Sequence, residues 1–213
     1  GTVELWSLKN GKFTKLKQFQ KLLIDKAHSK PVWSVKFSPD GKMIATASDN
    51  GTVNLWNTNG QWKNTITAAD DNFSVYDISF SPDGKTLITA GSDSKAKLFN
   101  LDGEVVRIFE DHSDDVSSVS FSPDGKIFAT ASSDSNIKVW NLDNGKLIQT
   151  LTSNFGKFFS VNFSPDGNNI AITSEDSSVI IWKLNASLKE LKETSCQWLK
   201  DYLYNQDRYN PCS

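Results

Sequence analysis

The side chains best suited to acid–base chemistry are scarce in this sequence. There are two histidines, His28 and His112, and both occupy the same position of a repeated pattern. Paired with a carboxylate such as Asp134, His112 would form a catalytic dyad. The alternative is a structural role, in which the imidazole joins a loop to two strands through hydrogen bonds. The equivalent placement of the two histidines favours the structural interpretation.

Motifs that define other reaction centres are absent from the sequence. It contains no Gly-rich phosphate-binding loop, no Gly-x-Ser-x-Gly nucleophile elbow and no His-Glu-x-x-His or paired-cysteine metal site. The two cysteines, Cys196 and Cys212, both lie near the C-terminus, in a pattern that suits neither a disulfide scaffold nor zinc. The sequence therefore predicts no catalytic residue, no metal site and no cofactor.

Carboxylates are plentiful, but their positions indicate turns. The tetrapeptide Ser-Pro-Asp-Gly occurs four times, with its glycine at Gly41, Gly84, Gly125 and Gly167. Proline fixes φ at about −65° in such a turn, glycine adopts a positive φ, and the Asp side chain bonds to nearby backbone. The acidic pairs Asp70–Asp71 and Asp114–Asp115 could contact a cation, although a solvated loop is the simpler explanation.

The sequence around these turns repeats as well, at intervals of 43, 41 and 42 residues. Each turn follows a short strand that ends in phenylalanine and precedes a strand of small and β-branched residues. A third strand ends on a large aromatic residue, and a polar fourth strand follows. Four short strands in each period are typical of one blade of a β-propeller.

The fourfold Phe-Ser-Pro-Asp-Gly, the strand of small residues and the Asp-x-x-x-x-x-Trp ending resemble the WD-repeat, or β-transducin-like, family over residues 1 to about 184. The resemblance implies an all-β fold, a β-propeller of four-stranded antiparallel blades. Because Gly1 to Trp6 matches Gly51 to Trp56, the sequence holds half a blade plus four repeats. The predicted boundaries are 1–24 for the third and fourth strands of an incomplete blade, 25–67, 68–110, 111–152 and 153–184 for the repeats, the last with three strands, and 185–213 for the tail.

The family also implies a hydrogen-bonded network of His, Ser or Thr, Asp and Trp within a blade. Asp accepts from the imidazole, the imidazole pairs with the hydroxyl, and the hydroxyl accepts from the indole. The third repeat has all four members, which are His112, Thr130, Asp134 and Trp140. The first repeat has Asn50 in place of Asp beside His28, Thr46 and Trp56.

The second and fourth repeats lack several members of this network. The second keeps Thr89 and Asp93 but has Asp71 for His and Phe99 for Trp. The fourth keeps Asp176 and Trp182 but has Asn154 for His and Ile172 for the hydroxyl residue. We therefore expect a broken or water-filled network in these two repeats.

A C-terminal amphipathic helix is predicted after the last repeat. Ser187 and Glu190 form a capping-box pattern, and apolar residues from Leu184 to Tyr202 recur at helical spacing. We expect this helix to pack on the propeller rather than to dock a partner. The sequence from Cys196 to Leu203 resembles the tail of bacterial, especially cyanobacterial, WD-repeat proteins. This resemblance implies a bacterial source and a nucleotide-binding signalling module upstream.

The resemblance also assigns partner binding to the top face of the propeller. The matching positions follow the loop into a first strand or precede the hairpin between the second and third strands. They are Trp33, Tyr76, Phe159, Lys157, Asp49, Glu175 and Asp115. Three of the four residues two positions after the loop are large aromatics, which are common anchors of protein interfaces. The alternative is that these rings pack between blades.

The composition is that of a soluble, cytoplasmic protein. The 213 residues include 23 basic and 25 acidic side chains, for a net charge of −2, which argues against nucleic-acid binding. No apolar run reaches the roughly 20 residues that a membrane helix needs, and no signal peptide is evident.

The leading interpretation is a non-catalytic scaffold that binds a protein or peptide, as the C-terminal sensor or interaction propeller of a larger signalling protein. The alternative is a propeller enzyme of the glycosidase or lyase type, or a small-ligand binder, that uses the central channel. Repeat-equivalent residues favour the scaffold, because an enzyme needs unique polar residues that converge on the channel. Closure of the ring would require an upstream part of the same chain or another copy.

Overall fold

Antiparallel β-strands form nearly all of the described chain. The computed structural model describes residues 2–19, 28–70, 72–152 and 156–184. The first sheet has two strands, β1 (Val3–Lys9) and β2 (Lys12–Phe19). Within the described ranges, no helix has the length and hydrophobicity needed to cross a membrane. The helix predicted in 185–213 falls outside these ranges and stays a prediction.

Four further sheets follow, each with its strands in sequence order. Blade 1 contains β3 (Val32–Phe37), β4 (Met43–Ser48), β5 (Thr52–Asn57) and β6 (Trp62–Thr67). Blade 2 contains β7 (Val75–Phe80), β8 (Thr86–Gly91), β9 (Lys95–Asn100) and β10 (Val105–Glu110). Blade 3 contains β11 (Val116–Phe121), β12 (Ile127–Ser132), β13 (Asn136–Asn141) and β14 (Leu147–Thr152). Blade 4 contains β15 (Phe158–Phe163), β16 (Asn169–Ser174) and β17 (Val179–Lys183). This all-β arrangement is consistent with a WD-repeat β-propeller.

Ser-Pro-Asp-Gly builds the first hairpin of every blade. In blade 1, Ser38 Oγ donates to Asp40 Oδ1 at 2.6 Å, and the Lys42 amide donates to the same oxygen at 3.0 Å. These two bonds lower the pKa of Asp40 below its usual value of 3.8. Gly41 adopts a φ of 69°, a left-handed conformation that glycine enters without strain. Equivalent bonds surround Asp83, Asp124 and Asp166. These four carboxylates are therefore turn residues, as the sequence predicts.

The hydrophobic core lies between successive sheets. Leu55 of blade 1 shares one buried cluster with Ile78 and Phe99 of blade 2. Similar clusters join blades 2 and 3 and blades 3 and 4. On the other side of blade 1, Val3 of β1 packs against the cluster that contains Trp56. The second strands of blades 1 to 3 are buried along almost their whole length, because their small side chains let neighbouring sheets approach closely.

One face of the first full sheet and one face of the last sheet are exposed. Val35 and Phe37 on β3 are more than half exposed, whereas the equivalent residues of β7 and β11 are buried. Val179 and Ile181 on β17 are 69% and 64% exposed, whereas the equivalent residues of β5 are buried. Both faces therefore have the apolar pattern of a sheet that packs against another sheet.

The first strand of each blade, which is the inner strand, carries the same β-bulge. In β3, Val32 pairs with Ser48 and Ser34 pairs with Ala47, so the register skips Trp33. The corresponding skipped residues of β7, β11 and β15 are Tyr76, Ser117 and Phe159. A bulge of this kind changes the direction of the side chain at the extra residue.

Candidate functional site

Two kinds of connection meet at one end of the blades, and together we call them the upper rim. The rim consists of the loops that lead into the inner strands (28–31, 68–70, 72–74, 111–115 and 156–157) and the hairpins between second and third strands (49–51, 92–94, 133–135 and 175–178). In all four blades a hairpin amide donates to a loop carbonyl at 2.8–3.0 Å. These pairs are Asp49 to Pro31, Ser92 to Ser74, Ser133 to Asp115 and Glu175 to Lys157. The loops are thereby fastened to the sheets.

Two of the three aromatic residues predicted at this face lie together. Trp33 is 56% exposed, and its ring meets that of Tyr76 edge to face with 6.2 Å between centroids. Trp33 Nε1 donates to Asp49 Oδ1 at 3.3 Å. The Tyr76 hydroxyl donates to Asp115 Oδ2 at 3.1 Å. Each ring is therefore oriented by one of the predicted carboxylates, and we call these four residues the aromatic platform.

The platform spans three blades and has defined protonation states. Ser74, in the loop before β7, donates to Asp49 Oδ1 at 2.5 Å. This bond and then that from Trp33 lower the pKa of Asp49 below 3.8, so the carboxylate is ionised at neutral pH. Burial, followed by the hydrogen bond to Asp115, raises the pKa of Tyr76 above 10.0, so its hydroxyl keeps its proton. The platform therefore presents negative charge beside aromatic rings.

The other predicted partner-binding residues lie on blade 4. Phe159 is 53% exposed, and Lys157 and Glu175 are also exposed. The Lys157 amide donates to Glu175 Oε2 at 3.2 Å, which fastens the loop to the hairpin of the same blade. Ser117, the non-aromatic member of the bulge set, donates to Phe158 O at 2.6 Å and so joins blade 3 to blade 4. This group is therefore built from blade 4 and its contact with blade 3, whereas the aromatic platform is built from blades 1 to 3.

The buried network of blade 3 has a hydrogen bond at every step. Trp140 Nε1 donates to Thr130 Oγ1 at 3.0 Å, and Thr130 Oγ1 lies 2.7 Å from His112 Nε2. His112 Nδ1 lies 2.8 Å from Asp134 Oδ2. Burial lowers the pKa of His112 below 6.5 despite the opposing effect of Asp134, so the imidazole is neutral at pH 7. It then donates from Nδ1 to Asp134 and accepts from Thr130 at Nε2.

This geometry favours a structural role for His112. Its side chain is only 2% exposed, and both of its ring nitrogens are engaged, so it cannot reach a substrate. Although burial by itself raises the pKa of Asp134, the bond from His112 and backbone amides hold it below 3.8. Among the described residues, no three His, Cys, Asp or Glu side chains are grouped to hold a metal ion.

The network of blade 1 is rerouted around Asn50. Trp56 Nε1 donates to Thr46 Oγ1 at 2.9 Å, and His28 Nε2 lies 2.8 Å from the same hydroxyl. Thr52 Oγ1 lies 3.3 Å from His28 Nδ1 and donates to Asn50 Oδ1 at 2.8 Å. A threonine hydroxyl thus connects the imidazole to the residue that stands in the place of Asp.

Blade 2 fills the expected break in its network with an ion pair that the sequence analysis missed. Lys97 Nζ lies 2.6 Å from Asp93 Oδ2 and also donates to Ala68 O at 2.7 Å. Thr89 Oγ1 donates to the Lys97 carbonyl at 3.4 Å. Asp71 and Asn154, which replace the histidines of blades 2 and 4, lie outside the described residues. The Asp of blade 2 therefore has a charged partner from its own sheet.

Asp77 is a second residue that the sequence analysis missed. It lies on β7, where the other inner strands have Ser34, Ser118 and Ser160. Ser34 Oγ donates to Asp77 Oδ1 at 2.9 Å, and Ser118 Oγ donates to Asp77 Oδ2 at 2.8 Å. The carboxylate therefore connects the inner strands of three blades. Its two oxygens are engaged by neighbouring strands, which favours packing over catalysis. The sequence signal for Asp77 was the presence of an acidic residue at a position that is serine in the other three repeats.

Comparison with known families agrees with the repeat pattern. The family model described as WD domain, G-beta repeat, matches residues 19–57, 60–100, 103–141 and 145–183. The chain belongs to the WD-repeat family. WD-repeat proteins are generally non-enzymatic scaffolds that bind protein partners. Three of the four matches begin with the outer strand of one sheet and continue through three strands of the next, as residues 60–100 contain β6 to β9. The domain boundaries that we drew from the sequence stay a prediction.

Short segments of the chain are also similar to animal WD-repeat relatives. One segment of 50 residues is 40% identical to the human serine-threonine kinase receptor-associated protein. The aligned segment covers 21% of this chain and 14% of that protein. The chicken protein of the same name is 44% identical over 43 residues, which is 18% of this chain and 12% of that protein. The match therefore spans a small part of these relatives. Because both are animal proteins, they give no support to the bacterial source implied by the tail.

Proposed function

We propose that this chain is a non-catalytic scaffold whose upper rim binds a protein or peptide partner. The observation that carries this proposal is the aromatic platform. Trp33 and Tyr76 stand at bulge positions and are held in place by Asp49 and Asp115. Because the rings are oriented before a partner arrives, binding costs less side-chain entropy. Aromatic residues with large exposed surfaces also supply much of the binding energy at protein interfaces.

The strands beneath the platform give it a firm base. The bond from Ser74 to Asp49 joins blade 1 to blade 2. Asp77 binds serines on both neighbouring inner strands. The platform residues therefore hold fixed positions relative to one another across blades, which is what recognition of one partner surface requires.

Substitution of the two rings tests the proposal. Peptides would be selected from a random display library against the wild-type chain, and their affinity would be measured by fluorescence anisotropy. We expect Trp33→Ala and Tyr76→Ala each to weaken binding by roughly tenfold or more without lowering the melting temperature. Trp6→Ala is the matched control, because Trp6 is also about half exposed (49%) but lies on β1, away from the rim. Unchanged affinity in both rim variants would overturn the proposal.

We also infer that the propeller is the sensor or interaction part of a larger signalling protein. The exposed faces of β3 and β17 support further packed sheets, and the signalling role rests on the resemblance of the tail alone. The face with Val35 and Phe37 is equivalent to one side of the buried interface between blades 1 and 2, and the face with Val179 and Ile181 is equivalent to the other side. Further blades of the same protein, or another copy, would cover both faces.

The mass of the native polypeptide tests this second inference. An immunoblot of source cells should show a band well above the 23.7 kDa of this chain. A band at 23.7 kDa would contradict the inference, and self-association of the isolated chain in analytical ultracentrifugation would then show that another copy covers the exposed faces. The propeller-enzyme and small-ligand alternatives have less support, because Asp77, the unique inner-strand carboxylate, is occupied by neighbouring strands.

A further inference from the structure

Charge is distributed unevenly between the two ends of the blades. The carboxylates of the upper rim are Asp49, Asp70, Asp93, Asp111, Asp114, Asp115, Asp134, Glu175 and Asp176, and its lysines among the described residues are Lys30 and Lys157. Two of these carboxylates pair with lysines of the third strands, Asp93 with Lys97 and Asp111 with Lys138. These nine carboxylates outnumber the two lysines of the rim and the two lysines of the third strands taken together. The upper rim is therefore strongly acidic, although the chain as a whole is almost neutral.

The opposite end of the blades differs in this respect. We call the Ser-Pro-Asp-Gly turns and the connections between third and fourth strands (58–61, 101–104 and 142–146) the lower rim. In three of its turns a lysine lies close to the turn carboxylate, with Nζ to Oδ2 distances of 3.7, 3.9 and 3.9 Å. Lys146 adds a further positive charge in the connection that contains Asp143. The acidic excess is thus concentrated at the end that carries the aromatic platform.

The aromatic platform and the acidic charge of the upper rim favour the same kind of binding partner. An exposed indole ring attracts a cation over its face, and this attraction is stronger for arginine, which also stacks on aromatic rings. Trp33 offers such a ring beside the ionised Asp49, and Tyr76 lies beside Asp115. A guanidinium group placed over the rings could also bond to a carboxylate. An acidic partner would instead be repelled by the remaining carboxylates of the rim.

We propose that the partner of the upper rim is a basic peptide segment whose arginine side chains dock on the aromatic platform. The inference rests on the proposed function above and adds the chemistry of the partner. Arginine is bound by the ring of Trp33 and the carboxylates of Asp49 and Asp115, while the wider acidic rim attracts the rest of the basic segment. Lysine binds at the same place but more weakly, because its compact ammonium group neither stacks nor forms paired bonds.

The first experiment compares four labelled peptides on the whole chain. They alternate glycine with arginine, lysine, serine or glutamate and are otherwise identical. Fluorescence anisotropy should rank arginine above lysine, with affinity for the arginine peptide at least tenfold above that for the serine peptide and no binding of the glutamate peptide. Raising the salt concentration from 50 to 300 mM should weaken binding of the arginine peptide several-fold, since the attraction between exposed charges is screened.

Matched variants locate the binding site. The double variant Asp49→Asn/Asp115→Asn and the single variant Trp33→Ala should each weaken the arginine peptide by tenfold or more. The double variant Asp102→Asn/Asp143→Asn removes the same charge from the lower rim and should change affinity by less than twofold. Circular dichroism and the melting temperature of each variant show whether it is folded. Trp33→Ala keeps the test decisive if the Asp49 variant fails to fold.

The possible outcomes separate this inference from the proposed function. Binding of the arginine peptide that depends on Trp33, Asp49 and Asp115 supports both. Tight, Trp33-dependent binding of serine or glutamate peptides would overturn the basic-partner inference and leave the rim as a binding surface. Arginine-peptide binding that is equal in all variants would show non-specific attraction and overturn the inference. If none of the four peptides binds and no library peptide depends on Trp33 or Tyr76, both are wrong.

Discussion

Blades 2 and 3 have the same strands, turns and bulge, yet they stabilise their second hairpins in different ways. In blade 3, Asp134 accepts a hydrogen bond from the neutral, buried His112. In blade 2, Asp93 forms an ion pair with Lys97, which extends from the neighbouring third strand. A buried carboxylate needs a donor, but the fold does not require that donor to be a particular side chain. The difference shows that the blade geometry is set by the strands and turns, whereas the polar network adapts to it.

The hydrophobic packing also differs between the blade 2–blade 3 interface and the blade 1–blade 2 interface. Between blades 2 and 3, Phe109 meets Phe128 edge to face at 4.6 Å, and Phe128 stacks on Trp140 at 6.1 Å. Between blades 1 and 2, the cluster contains Ile66 and Phe99 at the positions of Phe109 and Trp140. A cleft of about 370 Å³ lies beside Phe99. The interface between blades 1 and 2 therefore has smaller side chains at the positions that aromatic rings occupy between blades 2 and 3.

The largest expected effect comes from breaking the ion pair of blade 2. Asp93→Ala leaves the Lys97 ammonium, whose side chain is only 15% exposed, without its ion-pair partner. We expect the free energy of unfolding to fall by about 3 kcal/mol, because a buried charge that has lost its partner is strongly destabilising. Urea unfolding followed by circular dichroism measures this change.

The double variant Asp93→Ala/Lys97→Met is the control for that substitution. It removes both charges and keeps an unbranched apolar side chain in place of lysine. The double variant should recover most of the lost stability, since replacing a buried ion pair by apolar residues is often close to neutral. Equal stability of the single and double variants would mean that the lysine charge is not the source of the loss.

The corresponding substitution in blade 3 has a somewhat smaller expected effect. His112→Ala deprives Asp134 of one donor and Thr130 of its acceptor, but it leaves no unpaired cation. We expect a loss of about 2 kcal/mol, which corresponds to the cost of unsatisfied buried polar groups. The melting temperature should fall, while peptide binding at the upper rim stays unchanged. Lost binding with an unchanged melting temperature would instead assign His112 to the functional site.

A third prediction concerns the other feature that distinguishes blade 2. Asp77→Ser gives β7 the residue found on the other inner strands and removes the carboxylate that bonds to Ser34 and Ser118. A serine can keep one of these bonds, so we expect a loss of about 1 kcal/mol. Ser160 offers a matched control, because Ser160→Ala alters the same position of blade 4 without removing a carboxylate. Greater destabilisation by the control would show that Asp77 does not join the blades.

The smallest expected effect is a pH dependence that arises from His112 in blade 3. The folded-state pKa of His112 is below its ordinary value of 6.5, so the stability that its neutral form contributes is complete above pH 6.5 and decreases as the pH falls below that value. The pKa of Asp134 is also lowered, but its contribution is lost only as the pH falls below 3.8. Wild-type protein should therefore be less stable at pH 5 than at pH 7, and the difference should be smaller in His112→Ala. Chemical unfolding at the two pH values measures both, and an equal difference in the two proteins would contradict the assignment.

Much of the fold follows from features that are local in sequence. Ser-Pro-Asp-Gly specifies its turn through the positive φ of the glycine and the bonds to the Asp, so four copies define four hairpins. The strands end within one or two residues of the expected positions. Their ends are marked in the sequence by the phenylalanine before each turn and by the large aromatic residue that closes each third strand. The placement of Trp33 and Tyr76 at one end of the blades was expected from the resemblance to WD-repeat proteins, which assigns their positions to the top face.

The missed features depend on contacts between strands. Lys97 on β9 pairs with Asp93 in the hairpin that joins β8 to β9. A lysine on a third strand has no sequence signal that distinguishes this role from an exposed one. The bulges at Trp33 and its equivalents could not be predicted, because no glycine marks these positions in the sequence. The contact between Trp33 and Tyr76 arises from neighbouring blades, so it required the arrangement of the sheets.

The offset between the family repeat and the sheet has a consequence for how such chains grow. One repeat unit supplies the outer strand of one sheet and three strands of the next, as residues 60–100 do. Tandem duplication of a gene segment that encodes one unit would insert four strands. The first of them would complete the preceding sheet, and the other three would begin a new sheet that the following unit completes. Each duplication would therefore add one whole blade and would not create an unpaired strand in the middle of the array. Blade number can therefore change by single units during evolution, because each unit carries four strands wherever along the blade it begins.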